Sequence, residues 1–204
     1  MKRIIKKVYS LPSVLYNRLV FAYRKPVCKT VPEVHGKIFL VSDKGAVSFG
    51  RNVRINSSLQ SDPIGGSTRT ILFAEPGAKI KIGDNVGISN TAIHAAESVI
   101  IEDDVMIGGD CKIYDTDFHS VDFDSRMTKP DTKARYAPVV IGKGAFIGAS
   151  SMILKGVHIG EKSVVAAGSV VTTDIPPNEL WGGYREGIFV RFHNRFSAAP
   201  LQVL

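Results

Sequence analysis

The sequence predicts an all-β chain wound as a parallel β-helix, and two regularities carry that expectation. From Ile141 onward an aliphatic residue returns every six positions, through Ile147, Ile153, Ile159, Val165 and Val171. The same step links Ile101, Ile107 and Ile113, and earlier Ile82 and Ile88. A period of six is three strand alternations, and it drifts badly against the 3.6 residues of a helical turn. The second regularity is the company these residues keep. A Gly or Ala often follows, as at Gly83, Gly108, Gly142, Gly148, Gly160 and Ala166. Four residues after each aliphatic comes a small or branched one: Val86, Ala92, Val105, Cys111, Ala145, Ser151, Val157, Ser163 and Ser169. Six residues make one short strand and a corner. Three such faces close a coil with one large aliphatic per face inside, and stacked coils pair backbone with backbone. A sandwich of short strands is the competing architecture, but nothing in a sandwich maintains a six-residue register.

Taken in order, the 204 residues divide into three parts. Residues 1–34 are a basic, amphipathic arm. There Ile4, Val8, Leu11, Leu15 and Leu19 step by four, three, four and four, an apolar stripe at helical spacing that Pro12 should break into two short pieces. The solenoid takes residues 35–177, with two departures from register. Residues 57–70, rich in Ser, Gly and Thr, interrupt the early coils. Between Ile113 and Ile141 the gap is four repeats plus four residues, so residues 114–138 are expected to leave as an exposed loop. Ile88 to Ile101 is a smaller slip, two repeats plus one residue. Pro176-Pro177 ends the pattern, because proline donates nothing to a ladder. Residues 178–204 are a cap and tail, with Trp181, Tyr184, Phe189, Phe192 and Phe196 to cover the open end.

The net charge of +7 is unevenly spread. Residues 1–29 hold eight Lys and Arg and no acid, which leaves −1 for the rest of the chain. A neutral body disfavours nucleic acid as a partner, because a surface that tracks phosphates needs its cations on the fold. The arm has two readings: a helix resting on an anionic membrane surface, or one that packs its stripe on the solenoid or a neighbouring subunit. Two cysteines, Cys28 and Cys111, make no disulfide framework, and neither a signal peptide nor a membrane span is visible. The expected location is the cytoplasm, with peripheral contact at the cytoplasmic face of the inner membrane if the arm binds lipid.

Chemistry concentrates in Ile113-Tyr-Asp-Thr-Asp-Phe-His-Ser120. Six on from Ile113 lies His119, so a titratable ring takes an aliphatic slot where the long loop departs. If the segment is extended, Asp115, Asp117 and His119 share one face, and that face must open onto a cleft. A carboxylate beside an imidazole fixes its tautomer and raises its basicity, which a base that deprotonates a hydroxyl requires. The alternative is a loop histidine merely satisfied by Asp117. His94, where the register slips, either faces the same cleft or has a structural role. His35, His158 and His193 form no close pair, so no metal is expected.

With these residues in view, the chain resembles the hexapeptide-repeat, left-handed parallel β-helix acyltransferases. Within them it is similar to maltose/galactoside-type and polysaccharide-modifying sugar O-acetyltransferases. The matching strings are Ile82 to Asn90, Ile113 to Ser120, Ala137 to Gly142 and Phe146 to Pro177; Asp62 to Thr70 also looks like members acting in surface-polysaccharide synthesis. The resemblance covers about residues 35–192. It implies a homotrimer with active sites between neighbours, and His119, with Asp117, as the base for a sugar hydroxyl attacking the thioester of acetyl-CoA. It further implies coenzyme A along the last coils, at Phe146, Gly148, Ala149, Ala167, Gly168 and Thr172, where small side chains let the pantetheine arm approach the backbone. Ser89, Asn90 and Asp115 fall on the acceptor side. Two positions depart from the family. Thr173 stands where a basic residue is usual near the phosphates, and Gly182-Gly-Tyr-Arg-Glu186 replaces a Gly-Asn-Pro-Ala-Lys segment. Phosphate contacts are then assigned to Arg185 or Arg191. Amine acceptors, as in an amino-sugar N-acetyltransferase, and a non-catalytic or metal-dependent β-helix are the other function classes.

Overall fold

A computed structural model describes residues 2–66, 69–128, 133–183 and 188–191, with side chains for 11–66, 69–128 and 133–183. It is a left-handed parallel β-helix of six coils, each coil giving one strand to each of three parallel sheets. The helix α1 (Lys2–Arg24) comes first. The first sheet stacks β1 (Val27–Cys28), β4 (Val47–Phe49), β7 (Lys79–Ile82), β10 (Ser98–Ile101), β13 (Val139–Ile141) and β16 (His158–Ile159). The second stacks β2 (Glu33–Gly36), β5 (Arg54–Ser57), β8 (Gly87–Ser89), β11 (Met106–Ile107), β14 (Phe146–Ile147) and β17 (Val164–Val165). The third stacks β3 (Phe39–Val41), β6 (Ile71–Ala74), β9 (Ala92–Ala95), β12 (Lys112–Tyr114), β15 (Met152–Ile153) and β18 (Val170–Val171). The coil therefore begins at Val27, ahead of the boundary drawn at residue 35.

The six-step residues stand in columns. Ile82, Ile101, Ile141 and Ile159 stack in the first sheet; Ile88, Ile107, Ile147 and Val165 in the second; Ile93, Ile113, Ile153 and Val171 in the third. All are buried, and each such side chain contributes about 1.5–3 kcal/mol. The small residues turn inward at the corners, where the Ser hydroxyls need partners. Ser151 Oγ donates to Ala166 O at 3.0 Å, and Ser163 Oγ to Pro176 O at 2.6 Å. Ala92 breaks this pattern. The slip after Ile88 resolves into a short corner and a long one, so Ile93 and Thr91 point inward and Ala92 is half-buried.

The edge between the first and second sheets shows why corners prefer Asn, Asp and Gly. Asn52, Asn85, Asp104, Gly144, Lys162 and Asn178 each adopt a left-handed turn conformation there. The amides also form a ladder, with Asn52 Nδ2 donating to Asn85 Oδ1 at 3.0 Å and Asn85 Nδ2 to Asp104 Oδ1 at 2.8 Å. Beside it Asp84 accepts from the backbone N–H and guanidinium of Arg51 and pairs with Lys29 Nζ at 3.0 Å. These donors hold its carboxyl far below the usual carboxylate range.

At the far end β19 (Glu179–Gly182) adds to the second sheet parallel to β17, and β20 (Ile188–Arg191) returns antiparallel. Trp181 pairs in register with Val165, and its Nε1 donates to Glu179 Oε2 at 2.8 Å. Of the expected aromatic cap, the side chains of Tyr184, Phe189, Phe192 and Phe196 lie outside the described residues. At the near end, α1 is one helix with Pro12 inside it, not two pieces. A proline removes one backbone bond, and the roughly three turns beyond it continue along the solenoid, which Asn17 and Phe21 grip.

Candidate active site

Two excursions leave the coils at different edges. Residues 58–70 leave between β5 and β6, at the edge of the second and third sheets; residues 115–138 leave between β12 and β13, at the edge of the third and first. The ladder ignores the second excursion, for Ile101 pairs directly with Ile141. This corrects the slot count. The aliphatic column passes from Ile101 to Ile141, and His119 stands outside it, exposed.

The neck of the long loop is closed by backbone. Asp117 N donates to Arg135 O at 2.9 Å, Ala137 N to Asp115 O at 2.9 Å, and Thr116 bridges Tyr136. The three acidic and imidazole groups do not share a face. Asp115 is fully buried and accepts from Ala96 N at 2.6 Å and Glu97 N at 2.8 Å, sealing the corner of the adjoining coil. Asp117 is half-buried and pairs through Oδ1 with Lys155 Nζ at 2.6 Å. Phe118 turns left-handed (φ 63°), and His119 N donates to Asp117 O at 2.7 Å, so the chain bends where an extended strand was expected. The bend lifts the imidazole to the surface.

Aromatic packing fixes that bend. The Phe118 ring meets His94 edge-on at 4.8 Å and Tyr114 at 5.1 Å, and His94 stacks on Phe73 at 4.7 Å. His94 Nε2 lies 2.9 Å from Glu75 Oε1. His94 is thus structurally satisfied and also a support for the residue beside His119. Burial pushes the Tyr114 phenol up. Past the bend, Asp122 caps α2 (Phe123–Met127) by accepting from Ser125 N at 2.9 Å, and the Ser125 hydroxyl together with that N–H holds its carboxyl below the usual range. Sequence reasoning missed Lys155, Glu75, Phe73 and Phe118. Lys155 was findable: it follows Ile153 by two, as Asp115 follows Ile113, which puts both at one edge.

The residues assigned to the acyl donor divide. Phe146 is exposed on the second sheet; Gly148, Ala149, Ala167 and Gly168 line the edge of the second and third sheets. Thr172 and Thr173 lie exposed at the edge of the third and first, one coil on from Lys155. Arg185 and the side chain of Arg191 lie outside the described residues. Gly148 is buried, and a Cβ there would sit 2.4 Å from Ala167 N, so the stacking of coils by itself requires a glycine at this position. Gly168, at φ 73° with open space around it, faces outward. On the acceptor side, Ser89 Oγ accepts from Asn56 Nδ2 at 3.0 Å. Asn90 is fully buried and left-handed (φ 39°), and its amide donates to Asp62 O at 3.1 Å, pinning the 58–70 excursion. A groove of about 390 Å³ lined by Glu102, His158, Glu161 and Asp174 holds none of these residues. No cluster of three metal-ligating side chains occurs among the described residues.

A family model described as the hexapeptide repeat of succinyl-transferase matches residues 138–173. WbbJ of Escherichia coli, provisionally named a lipopolysaccharide biosynthesis O-acetyl transferase, is 30% identical over 163 residues, 76% of each chain. The galactoside O-acetyltransferase of Escherichia coli is 36% identical over 108 residues, 52% of this chain and 51% of that one. The chain thus spans about half the length of that relative. Among solved structures, the hexapeptide-repeat acetyltransferase VCA0836 of Vibrio cholerae, complexed with acetyl coenzyme A, is 31% identical. The likeness covers 66% of this chain and 64% of that one, with a TM-score of 0.52.

Proposed function

The chain belongs to the hexapeptide-repeat acetyltransferases, and on that premise we propose that it moves the acetyl group of acetyl-CoA onto a sugar hydroxyl in surface-polysaccharide synthesis. His119 is the base. The observation that carries this reading is an exposed imidazole on a bend held from both sides, by the Asp117–Lys155 pair and by the Phe118 ring packed on His94. The imidazole takes the hydroxyl proton as the oxygen attacks the thioester carbonyl. The tetrahedral intermediate collapses, the C–S bond breaks, and the imidazolium returns the proton to the departing thiolate of coenzyme A. Ala149, Ala167 and Gly168 give the pantetheine arm an edge free of large side chains. Phe146 flanks it, and Arg185 meets the phosphates.

The enzyme works as a cytoplasmic homotrimer. His119 and the Ala149–Gly168 edge stand on different edges of one chain, so a neighbour's edge must meet the His119 loop to complete a site. Names of relatives support the acceptor class: one is a galactoside O-acetyltransferase, another is assigned to lipopolysaccharide biosynthesis. The test is release of free coenzyme A thiol, with hydroxyl and amino acceptors, by wild type and His119→Ala. Hydroxyl transfer should fall by about 10²–10⁴-fold in the variant. Undiminished transfer would reject His119 as base; transfer to amines alone, in both proteins, would move the enzyme to the N-acetyl class.

A further inference from the structure

The described part of the arm's apolar stripe, Leu11, Leu15 and Leu19, faces away from the protein. Helix α1 docks by its opposite side. Asn17, nearly buried, donates from Nδ2 to Gly36 O at 2.8 Å and accepts from Ile38 N at 3.2 Å. Phe21 packs on Phe49 with ring centroids 6.0 Å apart, and Arg24 Nη1 donates to Ser42 O at 3.3 Å. The helix is therefore held without its leucines. Leu11, Leu15 and Leu19 share one face at i, i+4 spacing, each more than 60% exposed, with Val14 and Tyr23 beside them. Leu11, Leu15 and Leu19 are not packed on their own solenoid, which leaves a membrane surface or a neighbouring subunit of the readings open from sequence.

We propose that this face lies on an anionic phospholipid surface, with the helix axis in the plane of the headgroups. Charge selects that occupant. Eight Lys and Arg and no acid occur in residues 1–29, while the rest of the chain sums to −1. A second copy of the helix would oppose like charges, and the body, although its Asp84 pairs with Lys29, carries a net charge of only −1 against the arm's +8. An anionic bilayer supplies both the apolar layer and the counter-charge. Among the described residues no helix is long and apolar enough to cross a membrane, so the helix lies on the surface. The inference rests on the cytoplasmic reading above, which gives the arm access to the inner leaflet, and is independent of the acyl-transfer chemistry.

The test is co-sedimentation of the full chain with vesicles of phosphatidylcholine alone and of phosphatidylcholine containing about one-third phosphatidylglycerol. Wild type should partition at least about 10-fold better onto the anionic vesicles, and less so as salt rises. Leu11→Glu with Leu15→Glu and Leu19→Glu should reduce that partitioning about 10-fold or more, with oligomeric state and acetyl transfer to a soluble acceptor unchanged. Equal partitioning by wild type and the triple variant overturns the proposal, as does a wild type that ignores anionic lipid. A smaller oligomer in the triple variant assigns the stripe to a subunit contact and overturns it too. His119→Ala should partition as wild type does, which separates this proposal from the catalytic one.

Discussion

Lys155 Nζ lies 2.6 Å from Asp117 Oδ1, so the coil that follows the long excursion grips it two residues before His119. The imidazole is aimed from the body of the solenoid and not by the loop alone. Lys155 is on this account a positioning residue. Lys155→Met should lower kcat about 10-fold while KM for acetyl-CoA changes far less, because a slightly misplaced base costs rate more than binding. Lys155→Arg should restore most of kcat. Steady-state kinetics with both substrates varied would reveal a purely structural lysine as an unchanged kcat in the soluble fraction.

Asp84 should set part of the acid limb of stability. Arg51 and Lys29 depress its carboxyl below the ordinary aspartate value of 3.8, so the folded chain holds it ionised where the unfolded chain takes up a proton. The contribution is complete above about pH 5 and is lost as pH falls from about 4 toward the depressed value. The melting-temperature gap between wild type and Asp84→Asn should be widest near neutral pH and shrink steadily below about pH 4. A gap that stays constant to pH 3 would exclude this origin.

Two glycines should answer differently to the same substitution. Gly148→Ala puts a methyl 2.4 Å from Ala167 N, against backbone that has no room to yield. A loss of about 2 kcal/mol or more is expected, within the range for overpacked sites. Gly87→Ala meets nothing within 4 Å, and its backbone needs no left-handed conformation. It should be neutral or stabilising by up to about 1 kcal/mol. Denaturant melts of the pair give the comparison directly.

Cys111 should be silent toward thiol reagents in the folded chain. Its thiol is fully buried, donates to Gly148 O at 3.2 Å, and is pushed above its ordinary pKa by burial. Cys28, half-buried, is shifted the same way. Alkylation at pH 8 should be slow for both and become fast only in denaturant. Mass spectrometry after timed quenching reads this, and rapid native modification of Cys111 would contradict its burial.

The solenoid was legible because a coil with one aliphatic per face writes its period into the chain. The six-step from Ile82 to Val171 appears in the structure as three buried columns. What the period could not disclose is where the chain stops obeying it. Counting to His119 assumed one more corner, but the excursion leaves at Asp115, whose carboxylate is consumed by Ala96 N and Glu97 N in the adjoining coil. Contacts between coils are invisible to a linear reading. The packing of Gly148 against Ala167 and the bond from the Asn90 amide to Asp62 O are both of this kind. The arm's stripe was plain in sequence and its direction was not, because a lone Asn17 on the opposite face carries no signal until Gly36 and Ile38 are beside it.

Between Ile101 and Ile141 the strands pair as if nothing intervened. A corner of this prism is thus a port: chain can be spliced in there without opening the ladder, and its length is limited only by loop entropy, which grows slowly. The scaffold and its recognition surface can then change on separate evolutionary clocks. Exchanging residues 115–138 or 58–70 between relatives should transplant preference for the acceptor while leaving the melting behaviour of the coils where it was.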